Sequence, residues 1–363
     1  MRKGITTMSP SDWKMRDADD LLSSAKEALS YNDVLLIPQF SDIKSRSDVD
    51  ISAELDDVMK FNMPIIASPM DTVTEGAMTA AFDSYGGLAI VHRYNTINEQ
   101  VAVVQSVFRN KPDARVGAAI GATGDYFERA MALCESGVQV LCLDVAHGHH
   151  ILVRDALKKL RNTFAESVHI MAGNVATREG FEALSEWGAD SVRVGIGGGS
   201  ICSTRLVSGH GMPTLQSVAE CATSQYDTKI IADGGIKTSG DIVKALAAGA
   251  DFVMIGSLLA GTEETPGETF HGNSGKRYKV YRGMASTEAQ SDWRGKSSTP
   301  EGVSTTVPYR GEVAPVLDNL LGGIRSGLSY SGVRTLSELH SKAQFIRQSS
   351  AGQVESSTHI MRK

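Results

Sequence analysis

Eight short β-rich runs constrain this chain more than any other feature of it. In order they are MPIIASPMD (63–71), GGLAIVHR (86–93), ARVGAAIG (114–121), VQVLCLDVAHG (138–148), VHIMAGNVA (168–176), ADSVRVGIGGG (189–199), TKIIADGG (228–235) and ADFVMIGS (250–257). Between most of them lies a stretch of helical period such as SGDIVKALAAG (239–249), with apolar positions on one face and glycine at its end. Strands that are almost continuously apolar are buried on both faces, the condition of a parallel sheet. Eight such units predict closure into a (β/α)8 barrel, an α/β fold, with an open doubly wound sheet as the alternative. In a barrel the polar residues after each strand gather on one face: Ser68 and Asp71, His92, Asp144 and His147, Asn174, the loop 197–204, Asp233 and Ser257.

Length and composition agree with this. The 363 residues fit one barrel spanning 1–363, and 41% hydrophobic with 21% charged residues describes a globular protein with a full core. A net charge of −6 without a dense Lys/Arg block gives no footprint for nucleic acid or an acidic membrane. The amino terminus lacks an apolar run behind its basic residues, no window reaches the roughly 20 apolar residues of a membrane helix, and four cysteines without C-x-x-C spacing point to a reducing, cytoplasmic setting. Two regions depart from the barrel pattern. The segment 263–314, polar and glycine-rich, is too long for an ordinary connection and reads as a flap over the active face or as a solvated insertion. The tail 348–363 has little core-forming capacity and extends from the barrel or docks on a neighbouring subunit.

The loop GIGGGSICSTR (195–205) carries the chemistry. Its glycines let backbone amides approach an anion, and Cys202 follows a strand end with Ser203, Thr204 and Arg205 around it. Such surroundings suit a thiolate nucleophile, although a lone cysteine is more often a small inert hydrophobe. A second glycine site, IADGG (231–235), precedes IGS (255–257), and successive final loops of this kind form phosphate sites in barrel enzymes. Asp233 accepts ribose hydroxyls there or caps the following helix. The run LDVAHGHH (143–150) offers a metal reading, but its spacing lies on a strand end rather than a helix, and Asp144 is better placed to meet the ring or amide of a second ligand.

Taken together, these motifs identify the chain as a member of the IMP dehydrogenase/GMP reductase family. GIGGGSICSTR resembles the family's catalytic-cysteine loop, with Gly198 where proline or serine is more usual, and matching segments follow in order: SYNDVLLIP, ASPMDTVTEG, RVGAAIGAT, AGNVAT, IADGGIKTSGDIVKALAAGADFVMIGSLLAGTEETPGE, YRGM, PEGV, VPYRG and LGGIRSG. The resemblance implies a (β/α)8 barrel, usually a homotetramer, acting at C2 of a purine 5′-monophosphate (GMP, IMP or XMP) with NADPH or NAD. It implies that Cys202 forms a covalent adduct at C2 while hydride passes between C2 and the nicotinamide. By matching position, Ser200, Gly235, Gly256, Ser257 and Tyr281 serve the phosphate, Asp233 the ribose, and Ser68, Met70, Gly283, Met284 and Glu301 the base. Asp144, Asn174, Arg193 and Gly195 lie on the nicotinamide side. A potassium ion is implied at Gly197, Gly199 and Cys202, completed by Glu355 of an adjacent subunit.

The family splits into an oxidative branch, IMP and NAD to XMP, and a reductive one, GMP and NADPH to IMP and ammonia. Between His92 and Arg115 there is no room for the paired regulatory domains of most IMP dehydrogenases. KSRSDVD, CLDVAHG and IMAGN resemble GMP reductases, whereas AGTEETPGE, YRGM and the ESSTH tail resemble IMP dehydrogenases. The dehydrogenases' water-activating Arg-Tyr pair is missing from MASTEAQSDWRGKSSTPEG, with Arg294 as a possible stand-in. GMP reductases use a Thr-Glu pair: Thr204 matches the threonine, while the glutamate's place holds Thr287 with Glu288 one residue later. These features lean toward GMP reductase, with IMP dehydrogenase and a non-catalytic purine-nucleotide-binding regulator as alternatives.

Overall fold

The computed structural model describes residues 23, 25–272, 274–296 and 298–356, apart from the Arg294 side chain. Each β-rich run contains one strand: β1 Ile65–Ala67, β2 Leu88–Val91, β3 Gly117–Ile120, β4 Val140–Asp144, β5 His169–Val175, β6 Ser191–Val194, β7 Lys229–Asp233 and β8 Phe252–Ile255. They pair in chain order, all parallel, and β8 returns to β1 with Val253 opposite Ile65 and Ile255 opposite Ala67. The sheet is therefore closed, and the fold is the (β/α)8 barrel rather than the open alternative. Strands β1, β2, β3, β6 and β8 are buried along their whole length, between the barrel interior and the helices, which is why the sequence runs apolar there without alternation.

The outer ring consists of α1 Gly76–Ser84, α2 Ile97–Asn110, α3 Tyr126–Glu135, α4 Ile151–Phe164, α5 Arg178–Glu186, α6 Thr214–Cys221, α7 Ser239–Ala247 and α8 Ala314–Tyr330. In α4 the buried residues Val153, Ala156, Leu157 and Leu160 recur every three or four positions, one stripe against the barrel. Helix α7 begins at a capping box, in which the Thr238 hydroxyl accepts the Asp241 N–H at 3.2 Å and the Asp241 carboxylate accepts the Thr238 N–H at 3.1 Å. Such a cap contributes about 1 kcal/mol and fixes the direction of the Gly234–Gly235 turn before it.

At the strands' N-terminal end, a hairpin pairs Ala53–Glu54 with Lys60–Phe61, and Phe61 meets Phe252 edge-on at 6.1 Å. His169, 4% exposed, stands with Nδ1 2.8 Å from Asp56 Oδ2 and Nε2 2.8 Å from Ser191 Oγ. Ahead of the barrel, a single 3-10 turn at Tyr31–Asp33 leads into the strand Val34–Leu36, which pairs antiparallel with Phe345–Arg347.

The segment between β8 and α8 folds on itself. Strands β9 Phe270–His271, β10 Arg277–Arg282 and β11 Ser304–Pro308 form an antiparallel sheet, with an insertion helix at Thr287–Arg294. The Lys279 ammonium is buried and donates to the carbonyls of Thr262, Glu263 and Thr265 at 3.2, 3.1 and 2.5 Å. Trp293 stacks on Tyr94 of the barrel with ring centroids 5.8 Å apart and planes at 16°, and the Arg129 guanidinium lies 5.8 Å from the Trp293 ring. Arg282 bridges Asp71 at 2.7 Å and Asp292 at 2.5 Å.

Of the tail, an exposed helix Ser350–Glu355 is described; residues 357–363, like 1–22, lie outside the described residues. Among the described residues no helix is long and apolar enough to cross a membrane, and all four cysteines are free thiols.

Candidate active site

A cavity of about 640 Å³ opens at the C-terminal ends of the strands, where the polar strand-end residues converge. Its central feature is the loop after β6. Gly195 turns the chain at φ +147°, and a Cβ there would fall 1.9 Å from the Asp233 carbonyl oxygen, so only glycine lets this loop cross so close to β7. Further along, Cys202 donates its N–H to the Gly199 carbonyl at 3.2 Å, and a short helix, Thr204–Ser208, begins two residues later.

The insertion pins this loop from above. Ser203 N–H donates to the Glu301 carbonyl at 3.0 Å, and Val303 N–H donates to the Ile201 carbonyl at 3.0 Å, setting Cys202 opposite Gly302. That ladder delivers a carboxylate to the neighbourhood of the Cys202 thiol. The Cys202 thiol, exposed and lining the cavity, donates to Thr204 Oγ1 at 3.2 Å, and Thr204 Oγ1 donates to Glu301 Oε2 at 2.8 Å. A thiol with a two-step hydrogen-bonded path to a carboxylate can shed its proton and later return it to a leaving group.

This geometry reassigns one expectation. Glu288, the residue read as the partner of Thr204, occupies the first turn of the insertion helix, is exposed and does not line the cavity. The helix turns Ala289, Gln290 and Trp293 inward, which leaves Glu288, Ser291 and Asp292 on its solvent face. The carboxylate that reaches Thr204 is Glu301, read from the sequence as a base contact.

Below the loop lies a chain of charges. The buried Arg193 guanidinium meets Asp144 Oδ1 at 2.5 Å and Asp233 Oδ2 at 2.8 Å. Burial works against its charge, and the two carboxylates more than restore it, so it stays protonated. The β5–β6 ladder shifts register between Gly173 and Val175, and this bulge presents the Asn174 amide to Asp233 Oδ2 at 2.8 Å and to the Gly195 carbonyl at 2.9 Å. Asp233 is thus a cavity residue held by Arg193 and Asn174; the cap of the following helix is Thr238. Arg93 adds a hydrogen bond to the Asp144 carbonyl at 3.2 Å.

The remaining wall is built by β8, β10 and the loops beside them. The Ser200 and Tyr281 hydroxyls lie 3.3 Å apart, and burial pushes the Tyr281 phenol above its ordinary range, so it stays a hydrogen-bond donor. A Cβ at Gly256 would fall 2.7 Å from Ser68 Oγ and 2.9 Å from Met70 Sδ, so only glycine lets Ser68 and Met70 pack this close to the chain beside Ser257. Ser68 Oγ is buried and has no hydrogen-bond partner among the described residues. Gly283, Met284 and Glu301 close the same wall.

Gly197 and Gly199 also line the cavity, whereas Glu355 ends the exposed C-terminal helix and does not. No group of three ligating side chains capable of holding a metal ion occurs among the described residues; His147 and His150 line the cavity while His149 packs on Trp187 at 5.9 Å. The sequence reading passed over Arg93 and Gln290, which line the cavity too. Gln290 is brought there by the packing of the insertion helix, whereas Arg93 follows the C-terminal end of β2, so its place at a strand end was the signal.

The IMP dehydrogenase / GMP reductase domain matches residues 28–359. The chain belongs to that family. Inosine-5′-monophosphate dehydrogenase of Aquifex aeolicus is 36% identical over 92% of this chain and 96% of its own, and that of Bacillus subtilis is 35% identical over the same shares. The Aquifex aeolicus alignment runs over 471 positions, so that relative carries segments with no counterpart among the 363 residues here. Among solved structures, a cysteine-to-alanine variant of GMP reductase from Trypanosoma brucei in complex with guanosine 5′-monophosphate superposes with a TM-score of 0.88 and 31% identity, covering 94% of this chain and 99% of that one. Members of this family are oxidoreductases of purine metabolism that use nicotinamide nucleotides.

Proposed function

We propose that this chain is a GMP reductase, converting GMP and NADPH to IMP, ammonia and NADP. The observation that carries the reading is the relay from Cys202 through Thr204 to Glu301, beside the segment 284–302, whose sequence has no Arg-Tyr pair. The thiol proton passes along it to Glu301, and the sulfur adds to C2 of GMP. As the bond from C2 to the exocyclic nitrogen breaks, the same proton returns through Thr204 to that nitrogen, which departs as ammonia. A C2–N bond has then been exchanged for a C2–S bond with no net change of charge. A nicotinamide, when bound, supplies the hydride that replaces sulfur at C2. Cys202 leaves as thiolate and regains a proton from solvent, and IMP is released.

The surrounding residues suit these ligands. Ser200, Gly235, Gly256, Ser257 and Tyr281 hold the 5′-phosphate. Asp233 offers the ribose its Oδ1, since Oδ2 takes the bonds from Asn174 and Arg193. Ser68 gives its unpartnered hydroxyl to the base, framed by Met70, Gly283 and Met284. On the other side, Arg93, whose Nε is ion-paired with Asp144 Oδ2 at 3.7 Å, stands with Asn174, Arg193 and Gly195 around the place of the nicotinamide. Carbonyls of Gly197, Gly199 and Cys202 belong to one short loop and are the hard oxygen donors that a potassium ion takes; Glu355 joins them only from a second copy in a homotetramer. The insertion acts as the lid, held on the barrel by Trp293.

The curated relatives favour a second reading, the oxidation of IMP to XMP. There the adduct is hydrolysed, and Glu301 through Thr204 serves as base to the attacking water. Purified protein given GMP and NADPH, in parallel with IMP and NAD, separates the two. Loss of NADPH absorbance with release of ammonia supports the reductase, and NADH formation from IMP without a GMP reaction overturns it. Binding of both nucleotides without turnover in either assay marks a nucleotide-binding regulator.

A further inference from the structure

One buried phenol has no hydrogen-bond use for its hydroxyl among the described residues. Tyr31 is 5% exposed, and its hydroxyl has no hydrogen-bond partner among the described residues. Leaving such a group unpaired destabilises a fold, so a retained orphan asks for a bound partner. Its position is specified by several contacts. The 3-10 turn Tyr31–Asp33 is closed by the Ser30/Asp33 capping box, the strand after it is zipped to Phe345–Arg347, and the Tyr31 carbonyl accepts the Lys244 ammonium of α7 at 2.8 Å. These bonds press the ring against the turn between β7 and α7: a Cβ added at Gly235 would meet the Tyr31 ring edge at 3.5 Å.

We propose that Tyr31 is a binding residue for the 5′-phosphate of the purine nucleotide, its hydroxyl donating past the side-chain-free Gly235 to a phosphate oxygen. The inference rests on the purine monophosphate reading of the cavity. The hydroxyl is kept a donor, because burial, then Asp241 and Asp233, all raise its pKa. Neither carboxylate takes it up: Asp241 accepts from the Lys237 and Thr238 amides, and Asp233 from Arg193 and Asn174. A phosphate at Gly235 brings the acceptor that the phenol lacks.

The test is Tyr31→Phe in the full chain, which removes the hydroxyl and keeps the ring. Titration of GMP and IMP is expected to show affinity weakened about tenfold or more, the scale of a hydrogen bond to a charged group. Guanosine and inosine, which lack the phosphate, should compete as they do with the parent protein, and the melting temperature without ligand should hold or rise as the orphan is deleted. Unchanged GMP and IMP affinity overturns the proposal, as does an equal loss for nucleotides and nucleosides or a fall in the unliganded melting temperature. A parent protein that binds neither GMP nor IMP refutes the purine monophosphate reading itself.

Discussion

Two hydrogen-bonded relays stand at opposite ends of this barrel. At the mouth, Cys202, Thr204 and Glu301 are linked at 3.2 and 2.8 Å. At the base, Ser191, His169 and Asp56 are linked at 2.8 and 2.8 Å. By residue type the second is the more familiar catalytic set. Yet Ser191 is 0% exposed at the start of β6, and no substrate carbonyl can come within bonding distance of it. The relay at the mouth opens on a cavity with room for a nucleotide. Access and the end of the strand, rather than the roster of side chains, separate chemistry from cohesion.

The sharpest way to break this comparison is to cut each relay and measure both turnover and stability. Cys202→Ala is expected to lower turnover by about 10⁴-fold or more, as loss of a covalent nucleophile does, with the melting temperature unchanged because the side chain is exposed. Glu301→Gln keeps the shape and removes the proton acceptor; kcat should fall by roughly 10²–10³-fold while the melting temperature holds. Retention of wild-type kcat in that variant would send the search for the proton carrier elsewhere in the lid. His169→Ala should do the reverse, costing about 2–3 kcal/mol in denaturant unfolding for the lost buried hydrogen bonds and the space left behind, with kcat intact in the folded fraction.

A finer contrast comes from acid. Burial pushes the Asp56 carboxyl up, but its bonds to His169 and to the Val58 and Met59 amides prevail and hold it below the ordinary range. Its contribution is therefore fully present above the unfolded value of about pH 4 and is lost as pH falls through the folded value. Asp56→Asn should flatten that acid limb by less than about 1 kcal/mol, since the group is part-exposed, as read from urea midpoints between about pH 3 and pH 6. The smallest effect concerns the lid. Trp293→Ala removes its stack on Tyr94 and is expected to raise KM for the nucleotide severalfold, on the order of 1 kcal/mol, without changing kcat by as much.

The barrel was legible because burial on both faces writes unbroken apolar runs into the sequence, and all eight contain a strand. The cavity residues at strand ends were legible for the same reason: once a strand is located, its C-terminal edge is too. What escaped was set by tertiary packing. Thr204 and Glu301 are 97 residues apart, and only the backbone ladder between 201–203 and 301–303 chooses Glu301 over Glu288, a choice no helical period records. The relay of Asp56 and His169, 113 residues apart, and the orphan phenol of Tyr31 were equally silent, since each depends on how a segment outside the barrel seats against it.

That ladder bears on how the protein can be re-engineered. Because Cys202 sits opposite Gly302 and shares its register with the segment carrying Glu301, the insertion is not a detachable module. A chimera that borrows a relative's insertion must place its junctions inside the outer part, before 301 and after 283, or it will exchange the strand neighbour of Cys202 together with the rest.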